Sequence, residues 1–285
     1  MKPILIHVHA FYIEMLPEIR RILASFREYP HEIWVTYVEG NDEMPRALED
    51  FEHVLPVPNR GFDVGPFVRV LNAVDLSQYS YIAKLHTKRN IMQQTFVKKV
   101  LVSGARWRNY LFSYAEPQNL PKCIAAFETT PTLGMVGHHV LIHDAEPATP
   151  EAWEWSRQML ASCGLQEKNS RYICGTMFMC RAELMLPVRN LLADEEFEIP
   201  DRELKFSISH AVERFLGMVI TAQGYDIRDV YTPESERRAL HLQNLFYYIC
   251  HRIWRFIYLR KENKNGGCII KLLKIPVYYK KGRKN

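Results

Sequence analysis

Along the first ninety residues, short runs of β-branched and aliphatic side chains alternate with stretches whose apolar residues recur every three or four positions. That alternation is the pattern of a βαβ-wound sheet. Ile4 to Val8 reads as a buried strand, and Ile13, Leu16, Ile19, Leu23 and Phe26 then fall at helical spacing. Ile33 to Val38 predicts a second strand between Pro30 and Gly40, and Val54 to Val57 a third. A helix over Gly65 to Asp75 opens with Pro66 in its first turn, where proline is tolerated, and Tyr81 to Leu85 predicts a fourth strand.

Beyond residue 90 the pattern predicts helices at about 96–113, 118–129 and 151–162, and strands at Leu133–Val136 and Cys174–Cys180. A further helix over 208–222 carries Val212, Phe215, Leu216 and Val219 on one face and is closed by Gly224. The fold class expected is therefore α/β, a Rossmann-type wound and mostly parallel sheet flanked by helices, with a basic amphipathic helical tail. Two regions are expected, 1–240 and 241–285.

With 285 residues, 47% of them hydrophobic, the chain can bury a substantial core, which excludes a disordered protein or a disulfide-stapled miniprotein. The formal charge of +5 hides an asymmetry. The first 250 residues carry 26 Lys and Arg against 31 Asp and Glu, whereas residues 251–285 carry 11 against Glu262 alone. A mildly acidic body argues against nucleic acid as partner, and only the tail invites an anionic surface. The six cysteines form no C-x-x-C pair, no export signal is evident, and no run of about 18 apolar residues occurs. A cytoplasmic protein is the expectation.

In a wound sheet, ligands bind beyond the carboxyl ends of the strands. Here those ends are polar: His9, Phe11 and Tyr12 after the first strand, Thr36 and Glu39 in and after the second, Asn59-Arg60-Gly61-Phe62-Asp63 after the third, and His86-Thr87-Lys88-Arg89 after the fourth. The glycine loop before the 65–75 helix could present helix amides to an anion, although Asp63 could equally be a helix N-cap. Lys84, His86 and Lys88, two apart, turn to one face of an extended strand end. They read either as a diphosphate cradle or as a solvated basic edge that discourages strand pairing.

Asn59-Arg60-Gly61-Phe62-Asp63-Val64-Gly65-Pro66-Phe67 followed by Lys84-Leu85-His86-Thr87-Lys88 resembles the paired signature of the rhamnan synthesis protein F family, bacterial glycosyltransferase-like proteins of polysaccharide assembly. The similarity continues through His7-Val8-His9-Ala10-Phe11-Tyr12, Val35-Thr36, Trp107-Arg108-Asn109-Tyr110-Leu111, Leu133-Gly134-Met135-Val136-Gly137, Gly175-Thr176-Met177-Phe178 and His210-Ala211-Val212-Glu213-Arg214, in order over roughly residues 4–225. It implies a GT-A type nucleotide-sugar fold and an inverting transfer, with rhamnose from a dTDP-linked donor to a lipid-linked glycan in O-antigen or rhamnan synthesis as the family's association. The donor residues it implies are His9, Tyr12, Thr36, Asn59, Arg60, Gly61, Asp63, Lys84, His86, Lys88, Gly175 and Arg214.

GT-A enzymes typically hold a divalent cation with an Asp-x-Asp at the end of the fourth strand, and this chain has no Asp-x-Asp anywhere. The expectation is a metal-independent site in which side-chain cations neutralise the diphosphate, with magnesium or manganese as the alternative. Glu213 is the candidate base that takes the acceptor's proton, or else an acid placed for the helix dipole or for Arg214. Cys174 and Cys180 read as core, and His138-His139 with His143 and Asp144 as a polar loop, with a metal site or an acceptor-side role as the alternatives. A contrasting reading is a non-catalytic sugar-binding or assembly module that keeps the scaffold.

Drawn as a helix, residues 245–260 place Phe246, Ile249, Ile253, Trp254, Phe256 and Ile257 on one broad face and His251, Arg252 and Arg255 on the other. This reads as a helix lying on an anionic membrane, peripheral on the inner face of the plasma membrane, or as one packing on protein. A membrane-bound scaffold for other transferases is a further reading that rests on this tail alone.

Overall fold

The computed structural model describes residues 1–89, 95–97, 100–102, 104–144, 150–200, 207–262, 268–272 and 275–280. The chain divides into two compact units, one of residues 1–94 and 102–232 and one of residues 95–101 and 233–285.

The larger unit is built on a seven-stranded sheet. Its strands are β1 (Ile4–Ala10), β2 (His31–Val38), β3 (His53–Val57), β4 (Tyr81–His86), β5 (Leu133–Val136), β8 (Phe178–Arg181) and β9 (Asp226–Arg228), and a separate antiparallel pair is formed by β6 (Ile142–Asp144) and β7 (Arg171–Ile173). The order across the sheet is β9-β5-β8-β4-β1-β2-β3. Strands β3, β2, β1 and β4 run parallel, as do β5 and β9, while β8 is antiparallel to both neighbours. The expected wound, mostly parallel α/β sheet flanked by helices is present. Every residue of β1 and β4 is buried, as befits central strands covered on both faces.

Helices α1 (Leu16–Leu23), α2 (Val64–Ala73), α3 (Gly104–Phe112), α4 (Leu120–Thr129), α5 (Pro150–Ser162) and α6 (Ile208–Ala222) surround the sheet. In α1 the buried residues Leu16, Ile19, Ile22 and Leu23 follow the helical repeat. Helix α6, N-capped by Ser207 through the His210 amide, packs on α2, α5 and β7. Its contact with β7 is close at Gly217, where an added Cβ would lie 2.3 Å from the Arg171 carbonyl oxygen. That glycine lets α6 settle directly onto the backbone of β7.

Three expectations are corrected. Cys174 to Met177 is a turn between β7 and β8, because Gly175 (φ 84°) and Thr176 (φ 53°) occupy the left-handed region that a strand excludes. The helix expected from about 96 begins at Gly104, after the short paired strands Thr95–Val97 and Val100–Val102. The tail is helical only as far as Ile257: α7 (Glu234–Ile257) is followed by β10 (Tyr258–Glu262), β11 (Cys268–Leu272) and β12 (Ile275–Lys280), an antiparallel sheet. The boundary expected at residue 240 falls inside α7.

Leu242, Leu245, Phe246, Ile249 and Ile253 on α7 are all exposed. The side chains of His251, Trp254, Arg255, Phe256 and Ile257 lie outside the described residues. Among the described residues no helix is long and apolar enough to cross a membrane.

Candidate functional site

Strand register assembles a polar band inside the sheet. His7 pairs with Lys84 and His9 with His86 across β1 and β4, and His9 pairs with Thr36 across β1 and β2, so all five side chains share a face. The Thr36 hydroxyl lies 2.9 Å from His7 Nε2 and 3.1 Å from His9 Nδ1. All of them are buried. Removal from water is the main cause that pushes His7 well below its ordinary pKa, His9 down to about 4 and His86 down to about 3.

Lys84 is fully enclosed, with its chain over the Phe67 ring. Its ammonium donates to Asp63 Oδ2 at 2.5 Å and to the Thr176 hydroxyl at 3.0 Å, and that hydroxyl donates in turn to Asp63 Oδ2. His86 Nδ1 lies 3.3 Å from the same oxygen. Burial alone would raise the Asp63 pKa, but it is outweighed by the charges of His86 and Lys84 and the hydrogen bonds of Lys84 and Thr176, which hold it well below the usual carboxylate range. Since His86 is itself uncharged at neutral pH, Lys84 is the partner that matters there. Burial also lowers the Lys84 pKa, opposed by Asp63. Asp63 occupies the N-cap position of α2, but its side chain makes no bond to the helix amides and is turned to Lys84 and Thr176 instead.

Above this pair opens a cleft of about 470 Å³, within the size range of small-molecule sites. Of the residues singled out from the sequence, Asp63, His86, Lys88, Gly175, Glu213 and Arg214 line it. Glu213 Oε1 accepts the Gly175 N–H at 2.6 Å, and its Oε2 lies 3.7 Å from Arg214 Nη1. Gly175 is needed for this contact, since at φ 84° a Cβ would lie 2.6 Å from Leu111 Cδ2. Burial raises the Glu213 pKa, in part offset by the Gly175 N–H and by Arg214. The arrangement gives a proton acceptor a few ångströms from fixed cations in a partly enclosed space.

The other residues singled out are placed elsewhere. His9 and Thr36 are enclosed and do not line the cleft, and Lys84 reaches it through Asp63 and Thr176. Arg60 donates to the Phe197 carbonyl at 2.8 Å, and Gly61 N donates to the Glu198 carbonyl, with a Cβ at Gly61 falling 2.6 Å from the Phe197 ring. Those two residues hold the 195–198 segment against the loop. Asn59 is exposed. Tyr12 packs against Phe11 and under Arg89, while its amide and that of Phe11 donate to the Thr87 hydroxyl, tying together the loops after β1 and β4.

Sequence reasoning gave no role to several walls of the cleft: Phe62, Trp107, Tyr172, Thr176 and His210. The aromatic rings supply flat apolar surface of the kind on which sugars and bases rest. Phe62, at φ 52° and 42% exposed, is a non-glycine residue in a strained conformation that keeps a large apolar ring in solvent. Cys174 also lines the wall, and burial raises its thiol pKa, which leaves it inert.

Comparison with known proteins follows the same residues. The pattern of the rhamnan synthesis protein F family matches residues 1–225. The uncharacterized protein WxcX of Xanthomonas campestris pv. campestris, in two strains, is 26% identical over 239 residues, covering 78% of this chain and 32% of the relative. This chain therefore spans about a third of the length of the curated relatives it matches. Among solved structures, glucosyl-3-phosphoglycerate synthase from Mycobacterium tuberculosis with Mn2+, UDP and glucosyl-3-phosphoglycerate aligns at TM-score 0.38 and 12% identity over 98% of this chain and 89% of its own. CMP:2-keto-3-deoxy-manno-octonic acid synthetase with CTP aligns at TM-score 0.33 and 14% identity over 86% and 99%. Likeness at that level says nothing about activity. The family pattern runs over most of the chain and takes in the strand ends, the Gly175 turn and Glu213, and the chain belongs to the rhamnan synthesis protein F family.

Proposed function

We propose that the cleft is the donor site of an inverting glycosyltransferase that moves a deoxysugar, rhamnose in the first instance, from a dTDP-linked donor to a lipid-linked glycan of a bacterial cell-surface polysaccharide. The observation that carries the reading is Glu213, raised in pKa and fixed by the Gly175 N–H, facing the same 470 Å³ space as Lys88 and Arg214. In the transfer, the acceptor hydroxyl oxygen forms its bond to the anomeric carbon from the face opposite the leaving group. Its proton passes to the Glu213 carboxylate, and the anomeric carbon to phosphate-oxygen bond breaks, with the electron pair leaving on the nucleoside diphosphate. Lys88, Arg214 and the nearby His210 meet the charge that develops there.

We read the donor site as independent of a divalent cation. Magnesium and manganese take about six oxygen ligands, usually one or two carboxylates together with water and substrate phosphates. Of the two cleft carboxylates, Asp63 is engaged by Lys84 and Thr176 and Glu213 by Gly175. The donor set does not fit such an ion, and no step is routed through one. The same missing Asp-x-Asp supports the contrasting reading, a sugar-binding module without turnover. Replacing Glu213 by Gln separates the two: donor binding retained with turnover lost supports the transferase, and unchanged turnover refutes the base.

The exposed stripe of α7, with 11 basic residues between 251 and 285, supports a peripheral contact with an anionic membrane where a lipid-linked acceptor resides. Co-sedimentation with phosphatidylglycerol vesicles should be lost on Phe246→Asp together with Ile249→Asp; unchanged binding would rule that contact out.

A further inference from the structure

The carboxyl ends of the parallel neighbours β5 and β9 bring together three groups that are not among those facing the cleft. His138 and His139 follow β5, and Asp229 follows β9. One candidate ligand atom from each lies within 4.8 Å of the other two. Asp229 is almost wholly buried, with its side chain 1% exposed. Burial would raise its pKa, but hydrogen bonds from His139 and from Thr232 keep it below the ordinary value, so a full negative charge is held inside the protein.

The Asp229 carboxylate is oriented in a particular way. Oδ1 accepts the amides of Tyr231 at 3.1 Å and Thr232 at 3.0 Å, which fixes the plane of the group. Oδ2 is turned toward His139, 3.0 Å from its Nδ1 and 2.9 Å from its amide nitrogen. Ligand atoms at the usual zinc bond lengths of about 2.0–2.2 Å sit about 3.3–3.6 Å from one another around a tetrahedral ion. The His139 Nδ1 to Asp229 Oδ2 separation, a hydrogen bond of 3.0 Å, has to open by only a few tenths of an ångström to reach that range. His138 is held beside them, its ring 4.5 Å from that of His139 and stacked on Tyr110 at 4.1 Å, so both imidazoles are positioned by packing before any ion arrives.

We infer that His138, His139 and Asp229 form a binding site for a borderline transition-metal ion, zinc by its ligand chemistry, with a solvent molecule completing four-coordination. Two imidazoles and one carboxylate suit zinc and not magnesium or calcium, which take oxygen ligands. On binding, Asp229 Oδ2 and one ring nitrogen of each histidine bond to the metal. A proton on the ligating ring nitrogen of His139 moves to its other ring nitrogen, which leaves the imidazole neutral. The ion ties the end of β5 to the end of β9 more firmly than the short parallel ladder and the His139–Asp229 hydrogen bonds do, and its ligands are not among the residues that line the cleft.

The test uses the full chain stripped with chelator and then titrated with Zn2+ by calorimetry and with Co2+ by visible absorption. One ion per chain is expected, with the intense bands of four-coordinate Co2+ and a Zn2+-dependent rise in Tm. His138→Phe keeps the aromatic stack on Tyr110 and removes one ligand; His139→Ala removes another. Each should weaken Zn2+ by more than about 100-fold, beyond the roughly 10- to 100-fold that loss of an outer-shell partner costs. Lys88→Ala, in the cleft, should leave Zn2+ affinity unchanged. Absence of stoichiometric binding, or binding that survives both histidine substitutions, would overturn the assignment.

Discussion

Lowering the pH from 7 to 5 should destabilise this protein through the histidines buried beneath the cleft. A histidine in the unfolded chain titrates near 6.5 and is almost fully protonated at pH 5, whereas His9, held at about 4, and His86, held at about 3, remain mostly neutral in the native state. The unfolded state therefore binds more protons throughout this window, and stability falls as pH falls. Integrated from pH 7 to 5, each of the two contributes a loss of about 2 kcal/mol, or about 4 kcal/mol together. His7, shifted the same way, adds to the loss. Glu213 acts in the opposite sense, since its raised pKa makes the native state take up a proton first and returns part of the loss. Asp63 acts only below its ordinary value of 3.8, outside this window. A drop of this size is a large fraction of a typical domain's stability. Urea unfolding at pH 7, 6 and 5 measures it directly, and His9→Asn, which retains a polar group toward Thr36 but cannot titrate, should remove about 2 kcal/mol of the loss. A change below about 1 kcal/mol from pH 7 to 5, or an unaltered slope in His9→Asn, would refute the reasoning.

Two further predictions concern packing and charge. Lys84→Met should cost about 3–5 kcal/mol in urea unfolding at pH 7, because Asp63 loses the cation that compensates it. The double change Asp63→Asn with Lys84→Met should recover much of that loss, and no recovery would show that the pair is not energetically coupled. Gly217→Ala should destabilise the protein and displace α6 from β7, since the new methyl would meet the Arg171 carbonyl and Tyr172. A Tm equal to that of the parent would show that the close approach does not matter.

The strands that build the sheet were legible because their signal is local. β1, β2 and β4 are short runs dominated by aliphatic and aromatic residues, and α6 carries its core residues at helical spacing, so each element announces itself within a few residues. Cys174 to Met177 deceived the pattern because its residues are mostly small or apolar, while the turn depends on the backbone conformation of Gly175 and Thr176, which hydrophobicity does not encode. The tail deceived it differently: the apolar spacing that continues past residue 257 suits a helix, yet from Tyr258 the chain pairs with segments that follow it. At the site, the spacing of Lys84, His86 and Lys88 did place Lys84 and His86 on one face. It could not show that Lys84 is enclosed, because its partners Asp63 and Thr176 lie 21 and 92 residues away. Asp229 escaped notice for the same reason, being 90 residues from His139.

The central claim is a nucleotide-sugar site whose charge is met by side chains, and calorimetric titration of the protein with dTDP-rhamnose, once with Mg2+ and once with EDTA, tests it most directly. The account predicts saturable binding of equal affinity in both, weakened roughly 10- to 100-fold by Lys88→Ala as expected for loss of a charge-assisted hydrogen bond. Binding that requires Mg2+, or that Lys88→Ala leaves intact, would contradict it.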